Sequence, residues 1–490
     1  MRCIELASKE KKHFIVNMVI MTVAMFVMRI MGMLFNIYYT SVIGAKSTGM
    51  YHLLFSCYGF FVTFSVAGCG MAATRLVSEA GGCVNAASRA VKKCISVCLP
   101  ASLVATLFAF VFKNTNLFFD NGTSYVAIMV LSLSLVPTAL QSVYRGYFMA
   151  VRSVATVTVS QLTEELSQMI FTVLLLNNLN GTPYAYISMI GGISIGAWIS
   201  FAFDFCMYRK YTSPNYVYCE SSYINIHSVT SIAFPVALGS LLRSLLVLAE
   251  NMLIPSMLFA AGIKDALGEY GVIKGMSIPL MVFPSIITTT LSTMLVTELS
   301  ERNSQKKVNG IRYIASKSIR YTLLYGFFIC GMLIMWHTSF ADMFYNEKRV
   351  GLYLGLLSLL VIPMYLDTVV DGMLKGLNQQ MSSLKYNITD SLLRVGMILC
   401  IVPLFGSIGY ISMLYISELF NLFLSYKRLS KVSKIPFELN YVTKPLICTA
   451  ISIVASKSVQ GLWGVAVYVC TYLLCTVITV FGKNKQNTKK

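Results

Sequence analysis

Polar interruptions divide this chain into fourteen apolar stretches: residues 14–39, 50–73, 94–112, 125–148, 154–176, 184–208, 229–254, 271–295, 318–336, 351–374, 381–405, 408–426, 441–457 and 462–482. A helix needs about 20 apolar residues to cross a hydrocarbon core roughly 30 Å thick, and most of these stretches have that length. The pattern predicts an all-α polytopic membrane protein with about fourteen transmembrane helices. The longest polar connections, Arg209–His227 and Thr297–Lys317, are too short for an extramembrane domain. The first stretch, Phe14–Tyr39, is too long for the apolar part of a cleaved leader, carries Arg29 in its middle and lacks a small-x-small cleavage site. It is expected to remain as span 1.

The chain also repeats itself. Gly49-Met50-Tyr51 and Leu76-Val77-Ser78-Glu79 recur as Gly268-Glu269-Tyr270 and Leu295-Val296-Thr297-Glu298, displaced by 219 residues. Pro137, Leu140, Val143, Gly146, Thr163, Glu164 and Leu166 return as Pro363, Leu366, Val369, Gly372, Thr389, Asp390 and Leu392, displaced by 226. Two ordered sets at nearly one displacement predict a duplicated six-span unit. The expected division is an N-lobe at 1–228, a C-lobe at 229–440, and two further helices with a basic tail at 441–490. An even number of spans inserts both copies the same way up, so the two lobes are expected to be related by a pseudo-twofold along the membrane normal with a cleft between them. Prolines within spans, at Pro100, Pro137, Pro235, Pro279, Pro284, Pro363 and Pro445, suit helices that bend.

Composition agrees with a lipid environment. Hydrophobic residues make up 56% of the 490 positions and charged residues 12%, against about 45–50% and 25% in soluble proteins. Soluble enzymes, coiled coils and disordered chains are excluded together. The formal charge of +19 suggests nucleic acid until its distribution is examined. With the N-terminus in the cytoplasm, 28 of the 39 Lys and Arg fall in cytoplasmic segments, 6 fall outside and 5 lie within spans. That asymmetry follows the positive-inside rule and places both termini in the cytoplasm, so no nucleic-acid partner is expected. The 13 cysteines form no Cys-x-x-Cys and lie mostly in apolar stretches, which reads as small buried hydrophobes rather than a disulfide framework or metal site.

A charge at the centre of a spanning helix costs about 2.5–3.5 kcal/mol, so each should face a partner or water. Arg29, Gly32 and Asn36 share a face of span 1. Arg243 and Glu250, followed by Asn251, lie on span 7, the equivalent span of the second repeat, with the two arginines at similar depth. Gln161, Glu164 and Gln168 make one face of span 5; span 11 offers Asn387, Asp390 and Arg394. Asp367, Asp371 and Lys375 form a stripe on span 10, and Arg145 sits near the cytoplasmic end of span 4. Ion pairs that merely lock helices together remain open for Asp390 with Arg394, for Arg243 with Glu250 or Asn251, and for the Lys375 stripe; snorkelling remains open for Arg145. Arg29 has no partner within its own helix. The four histidines show no metal spacing, and no phosphate loop, metal motif or nucleophile constellation is present. No enzyme activity, cofactor or metal is expected.

Ser142-Val143-Tyr144-Arg145-Gly146-Tyr147-Phe148, followed by Ser160-Gln161 and Glu164, resembles the polysaccharide-exporter branch of the multidrug/oligosaccharidyl-lipid/polysaccharide exporter superfamily. Arg29-x-x-Gly32, Leu76-Val77-Ser78-Glu79, Leu253-Ile254-Pro255 with Ala260-Ala261-Gly262, and Pro279-Leu280-x-x-Phe283-Pro284-x-x-Ile287-Thr288 extend the likeness in order. The resemblance implies a flippase of the bacterial cytoplasmic membrane that moves an undecaprenyl-pyrophosphate-linked saccharide outward, in this branch a peptidoglycan precursor for the spore cortex. Its implied partners are that substrate, membrane lipid and cell-wall synthases. Arg29, Asn36, Arg145, Arg243, Glu250, Asn251 and Arg394 are the candidate substrate contacts, because arginine holds phosphate oxygens bidentately. In the related lipid II flippases an arginine in span 1 matches Arg29, a second stands where this chain has Phe35, and one early in span 2 has no counterpart here. Two rival readings stay open: a cation-coupled multidrug extruder using Glu164, Asp390, Asp367 or Asp371 for coupling or gating, and a non-transporting scaffold for cell-wall synthesis.

Overall fold

The computed structural model describes residues 2–80, 84–111, 123–179, 181–182, 184–212, 225–345, 347–434, 440–457, 459 and 461–478. Five positions in the charge count, Lys113 and the tail lysines Lys483, Lys485, Lys489 and Lys490, lie outside the described residues. Among the described residues every regular element is helical. The chain divides into two compact units, Met1–Met252 and Leu253–Lys490. The first holds α1 (Arg2–Val66), α2 (Cys69–Glu79), α3 (Val84–Val111), α4 (Thr123–Ser132), α5 (Leu135–Ala150), α6 (Val154–Leu179), α7 (Ile187–Tyr211) and most of α8 (Ile226–Ala260). The second holds the end of α8, then α9 (Ala266–Tyr270), α10 (Ile278–Val282), α11 (Ile286–Ser304), α12 (Val308–Phe344), α13 (Lys348–Leu357), α14 (Val361–Gly376), α15 (Gln380–Cys400), α16 (Val402–Ser433), α17 (Asn440–Ser456) and α18 (Leu462–Thr476). The division falls inside α8, so Ile226–Met252, with Arg243, goes with the first unit. The lobe boundary after residue 228, drawn from the repeat, stays a proposal.

The helices and the expected spans correspond once breaks are considered. At 1.5 Å per residue a straight α1 of 65 residues would measure about 98 Å, three times a bilayer core. It breaks at Gly44, whose φ of 78° and ψ of 172° only glycine adopts without strain, and so supplies two crossings. The second leg continues into α2. The pairs α4/α5 and α13/α14, and the run α9 to α11, are single crossings with irregular turns inside them. Gly406, at φ 56° and ψ −132°, separates the first turn of α16 from the rest. Counted this way the described helices make fourteen crossings, as the apolar pattern predicts. By length and composition alone, nine helices among the described residues are long and apolar enough to cross a membrane, with Phe26–Glu79 counted as one. The protein is a multi-pass membrane protein.

Packing within each unit follows the repeat. In the first, α2 crosses α5 where Gly146 stands: a Cβ there would run into the Gly70 carbonyl oxygen. In the second, α11 crosses α14 at Gly372, 226 residues on, where a Cβ would lie 2.8 Å from the Ser292 carbonyl oxygen. Small residues let membrane helices approach where no hydrophobic drive exists between them. The cores differ in texture. The first mixes small Cys69, Ala72, Ala73, Ala90, Cys94, Cys98 and Ala139 with aromatic Tyr144, Tyr147 and Phe148; the second is mostly large aliphatics, with Leu295, Leu299, Ile319, Val369, Val370 and Met373. Cys57, Cys69, Cys94, Cys98, Cys330 and Cys448 are buried free thiols, the small hydrophobes that their apolar surroundings predict.

Candidate functional site

One guanidinium ties three helices of the first unit together. Arg145 on α5 donates to Glu164 on α6 at 2.6 Å, and to Ser160 and Ser200 at 3.0 Å each. Its Nε also lies 3.5 Å from Asp204 on α7. Asp204 is fully buried and accepts from the Ser160 hydroxyl at 2.9 Å. Its second oxygen, Oδ1, has no hydrogen-bond partner among the described residues, nor does either polar atom of buried Gln141. Arg145 therefore does not snorkel: two carboxylates and two hydroxyls draw it inward, and Asp204, uninformative as an isolated sequence position, is a central member of the group.

The second unit uses the corresponding positions with the charges moved. Adding 226 converts Gln141, Arg145, Glu164 and Gln168 to Asp367, Asp371, Asp390 and Arg394. Adding 217 converts Ser200 and Asp204 to Ser417 and Asn421. The cation has passed from α5 to the equivalent of α6, so Arg394 on α15 pairs with Asp390 at 3.0 Å and reaches Glu418 on α16 at 3.8 Å. Ser417 bridges the pair, accepting from Arg394 and donating to Asp390. Lys375 neutralises Asp371 at 2.6 Å, and Ser383 also donates to that carboxylate. Asp367 receives neither cation. The Asn421 amide donates to its Oδ2 at 3.0 Å, while Asp367 Oδ1 and Asn421 Oδ1 are both buried without a partner among the described residues. The first unit thus sets an amide on α5 and an acid on α7, and the second an acid on α14 and an amide on α16. Counting the named groups as charged, the first cluster sums to −1 from one cation and two acids, the second to −2 from two cations and four acids.

The remaining candidates fall on the first unit. Arg29 on α1 and Arg243 on α8 are exposed, and neither makes an ion pair among the described residues. Asn36 is half-buried, and Gly32 one turn before it faces Glu165, whose Oε1 would lie 2.9 Å from a Cβ at that position. Glu250 and Asn251 are buried; the Asn251 amide donates to Ser56 at 2.9 Å. Arg243 is not joined to Glu250 or Asn251 by any ion pair that the described contacts show. The structure also brings together a group that repeat analysis passed over. Arg349 meets Glu269 at 3.0 Å, Glu347 at 3.0 Å and Asp265 at 3.7 Å, and Glu269 further accepts from Tyr353 and Ser407. Hydrogen bonding to Arg349 holds the Glu347 carboxyl below its ordinary range. Asp204, Ser200, Ser417 and Asn421 are legible in the sequence only as the pair Ser-x-x-x-Asp and Ser-x-x-x-Asn at their common displacement, and Glu418, which corresponds to Phe201, is not.

With that geometry in place, comparison with known proteins adds a lineage. The family model described as Polysaccharide biosynthesis protein matches residues 14–296, more than half of the chain. Stage V sporulation protein B of Bacillus subtilis (strain 168) is 22% identical over 423 residues, spanning 81% of this chain and 80% of that protein. A solved lipid II flippase MurJ in an inward closed conformation superposes with a TM-score of 0.73 at 14% identity, covering 94% of this chain and 98% of its own. An inward-facing multidrug resistance MATE family transporter of the MOP superfamily gives 0.62 at 12% identity, covering 84% and 96%. At such identities the structural likeness establishes the fold.

Proposed function

Because the chain belongs to the polysaccharide biosynthesis protein family, we propose that it is an alternating-access flippase for a lipid-linked saccharide, moving an undecaprenyl-pyrophosphate carrier from the inner to the outer leaflet of a bacterial cytoplasmic membrane. One observation carries the reading. Arg145 and Arg394 are occupied by carboxylates, whereas Arg29 and Arg243, in the middle of apolar helices, are exposed without an ion pair among the described residues. Facing lipid, each would cost about 2.5–3.5 kcal/mol; facing an anionic headgroup, each finds the partner it lacks. A pyrophosphate offers oxygens to both, and the planar guanidinium fork binds such oxygens two at a time. Asn36, Glu250 and Asn251 would then contact the sugar or shape the site through hydrogen bonds. A peptidoglycan precursor is the substrate we favour, in keeping with the sporulation protein and the lipid II flippase that the chain resembles. Transport of this kind needs no bond chemistry from the protein. Depleting the protein and identifying the lipid-linked intermediate that accumulates on the cytoplasmic leaflet tests the proposal; no accumulation of any such intermediate would refute it.

Asp367 supports a second reading, cation-coupled extrusion of drugs. A half-buried carboxylate with no basic partner among the described residues is suited to take up and release a proton or metal cation, whereas Glu164, Asp390 and Asp371 are already paired. Asp367 can equally couple flipping to an ion gradient. Drug susceptibility separates the two: a deletion strain that is hypersensitive to cationic drugs yet accumulates no lipid-linked saccharide would favour extrusion.

A further inference from the structure

Three of the chain's exposed or half-exposed helix ends repeat one contact, a cation lying over an aromatic ring four residues away. Arg209 lies 4.6 Å from the Phe205 ring centre on α7, and Lys427 lies 5.9 Å from Phe423 on α16. On α12 the contact is doubled, because Lys317 lies 5.6 Å from the Tyr313 ring and 5.8 Å from Tyr321. Tyr313, Lys317 and Tyr321 are all exposed and form one stripe at i, i+4 and i+8.

The length of α12 fixes the depth of that stripe. Its 37 residues, broken at Trp336 (φ −120°, ψ 22°), have a contour of about 55 Å, well beyond a hydrocarbon core of about 30 Å. From Tyr321 to Ala341 there are 21 residues without Asp, Glu, Lys or Arg, a contour of about 31 Å that includes the break at Trp336. That segment matches the core, so Tyr321 stands at its edge. Lys317 then lies about 6 Å further out, at the level of lipid phosphates. Further towards the start of α12 and the turn before it stand Lys306, Lys307, Val308 and Arg312, all exposed. The nearest acids in sequence, Glu298 and Glu301, are engaged by Arg302 and Gln305 on the preceding helix.

We infer that this end of α12 is a binding site for the phosphate of an anionic glycerophospholipid. Lys317 is its central cation, the two tyrosine rings flank the glycerol and upper chain, and Lys306, Lys307 and Arg312 add attraction from the water side. Topology alone requires positive charge near such a loop; it does not require the ammonium to be held between two exposed rings at phosphate depth. Aromatic rings favour the interface for their amphipathic character, and juxtamembrane cations attract anionic lipid.

The test uses the intact protein, released from detergent in a mass spectrometer after equilibration with phosphatidylglycerol or phosphatidylcholine. Phosphatidylglycerol should be retained in preference, and Lys317→Gln should lower its retention about fivefold, the factor expected for one juxtamembrane charge. Lys46→Gln, which removes an exposed lysine elsewhere on the chain, should leave retention unchanged. Equal retention of the two lipids would overturn the inference, and so would equal losses from Lys317→Gln and Lys46→Gln. Retention by the parent protein of an undecaprenyl pyrophosphate in place of phosphatidylglycerol, abolished by Lys317→Gln, would also overturn it by assigning the cations to the transported substrate.

Discussion

The two polar clusters occupy corresponding positions in the two units and solve different electrostatic problems. In the first, Arg145 is the only cation of the group and touches acids on two other helices, so α5, α6 and α7 are joined through it. In the second, Arg394 binds an acid of its own helix and one of α16, and α14 is joined to α16 through the neutral Asn421 amide on Asp367. A duplicated scaffold has kept its polar positions and exchanged acid for amide across them. The first cluster reads as a structural tie, because every charge in it has a partner. The second contains Asp367, an acid without a cation among the described residues, the arrangement expected where charge must change during a transport cycle.

Substitutions can break this comparison in order of size. Arg145→Ala leaves Glu164 and buried Asp204 without a cation and should destabilise the protein by about 3–5 kcal/mol, the usual cost of orphaning a buried ionic partner. Thermal unfolding in detergent should show it, and Glu164→Gln in the same chain should restore part of the loss. Arg394→Ala should cost less, about 2–3 kcal/mol, because it unties α15 from α16 alone, whereas Arg145 joins three helices. If Arg394→Ala proved the more damaging of the two, the structural role assigned to the first cluster would be misplaced. Asp367→Asn should change stability by less than about 0.5 kcal/mol or raise it, since removing a half-buried charge that has no cation beside it orphans nothing. Transport by that variant should nevertheless fall, with its dependence on external pH or cation concentration flattened. A stable variant with unaltered transport would remove Asp367 from the mechanism.

The smallest effect concerns Glu347. Its carboxyl is held below the ordinary range by Arg349, so its contribution is fully present above the unfolded value of about 4.3 and is lost as pH falls through the lowered folded value. Both side chains are about a third exposed, and screening should limit the contribution to about 0.5 kcal/mol. Glu347→Gln should therefore lower the unfolding temperature slightly at neutral pH, with the difference from the parent vanishing in acid.

Crossing number was legible because twenty-residue apolar runs are imposed by bilayer thickness, which acts on each helix separately. The repeat was legible where packing demanded a residue type, as at Gly146 and Gly372. The site was legible only in part. Glu164, Asp390 and Arg394 show themselves as charges on helix faces, and the Asp390 to Arg394 pair follows from helical spacing alone. Asp204 and Asn421 do not, since their importance arises from residues on other helices brought near by folding. Repeat comparison at a second displacement reveals them, and a loop-length difference between the copies conceals that displacement from a search at 226. Nor could helical spacing foresee that Arg145 turns inward, because an arginine near a helix end snorkels unless carboxylates on neighbouring helices hold it.

Arg29 and Arg243, which make no ion pair among the described residues, are proposed to hold the pyrophosphate of a lipid-linked saccharide. The direct measurement is outward movement of a labelled lipid-linked precursor in cells depleted of the native protein and supplied with Arg29→Lys, Arg29→Ala or Arg243→Ala at matched abundance. The account predicts substantial loss of export in all three, Arg29→Ala being at least as impaired as Arg29→Lys, because a lysine keeps the charge without the planar fork. Normal export by both alanine variants at normal abundance would contradict it.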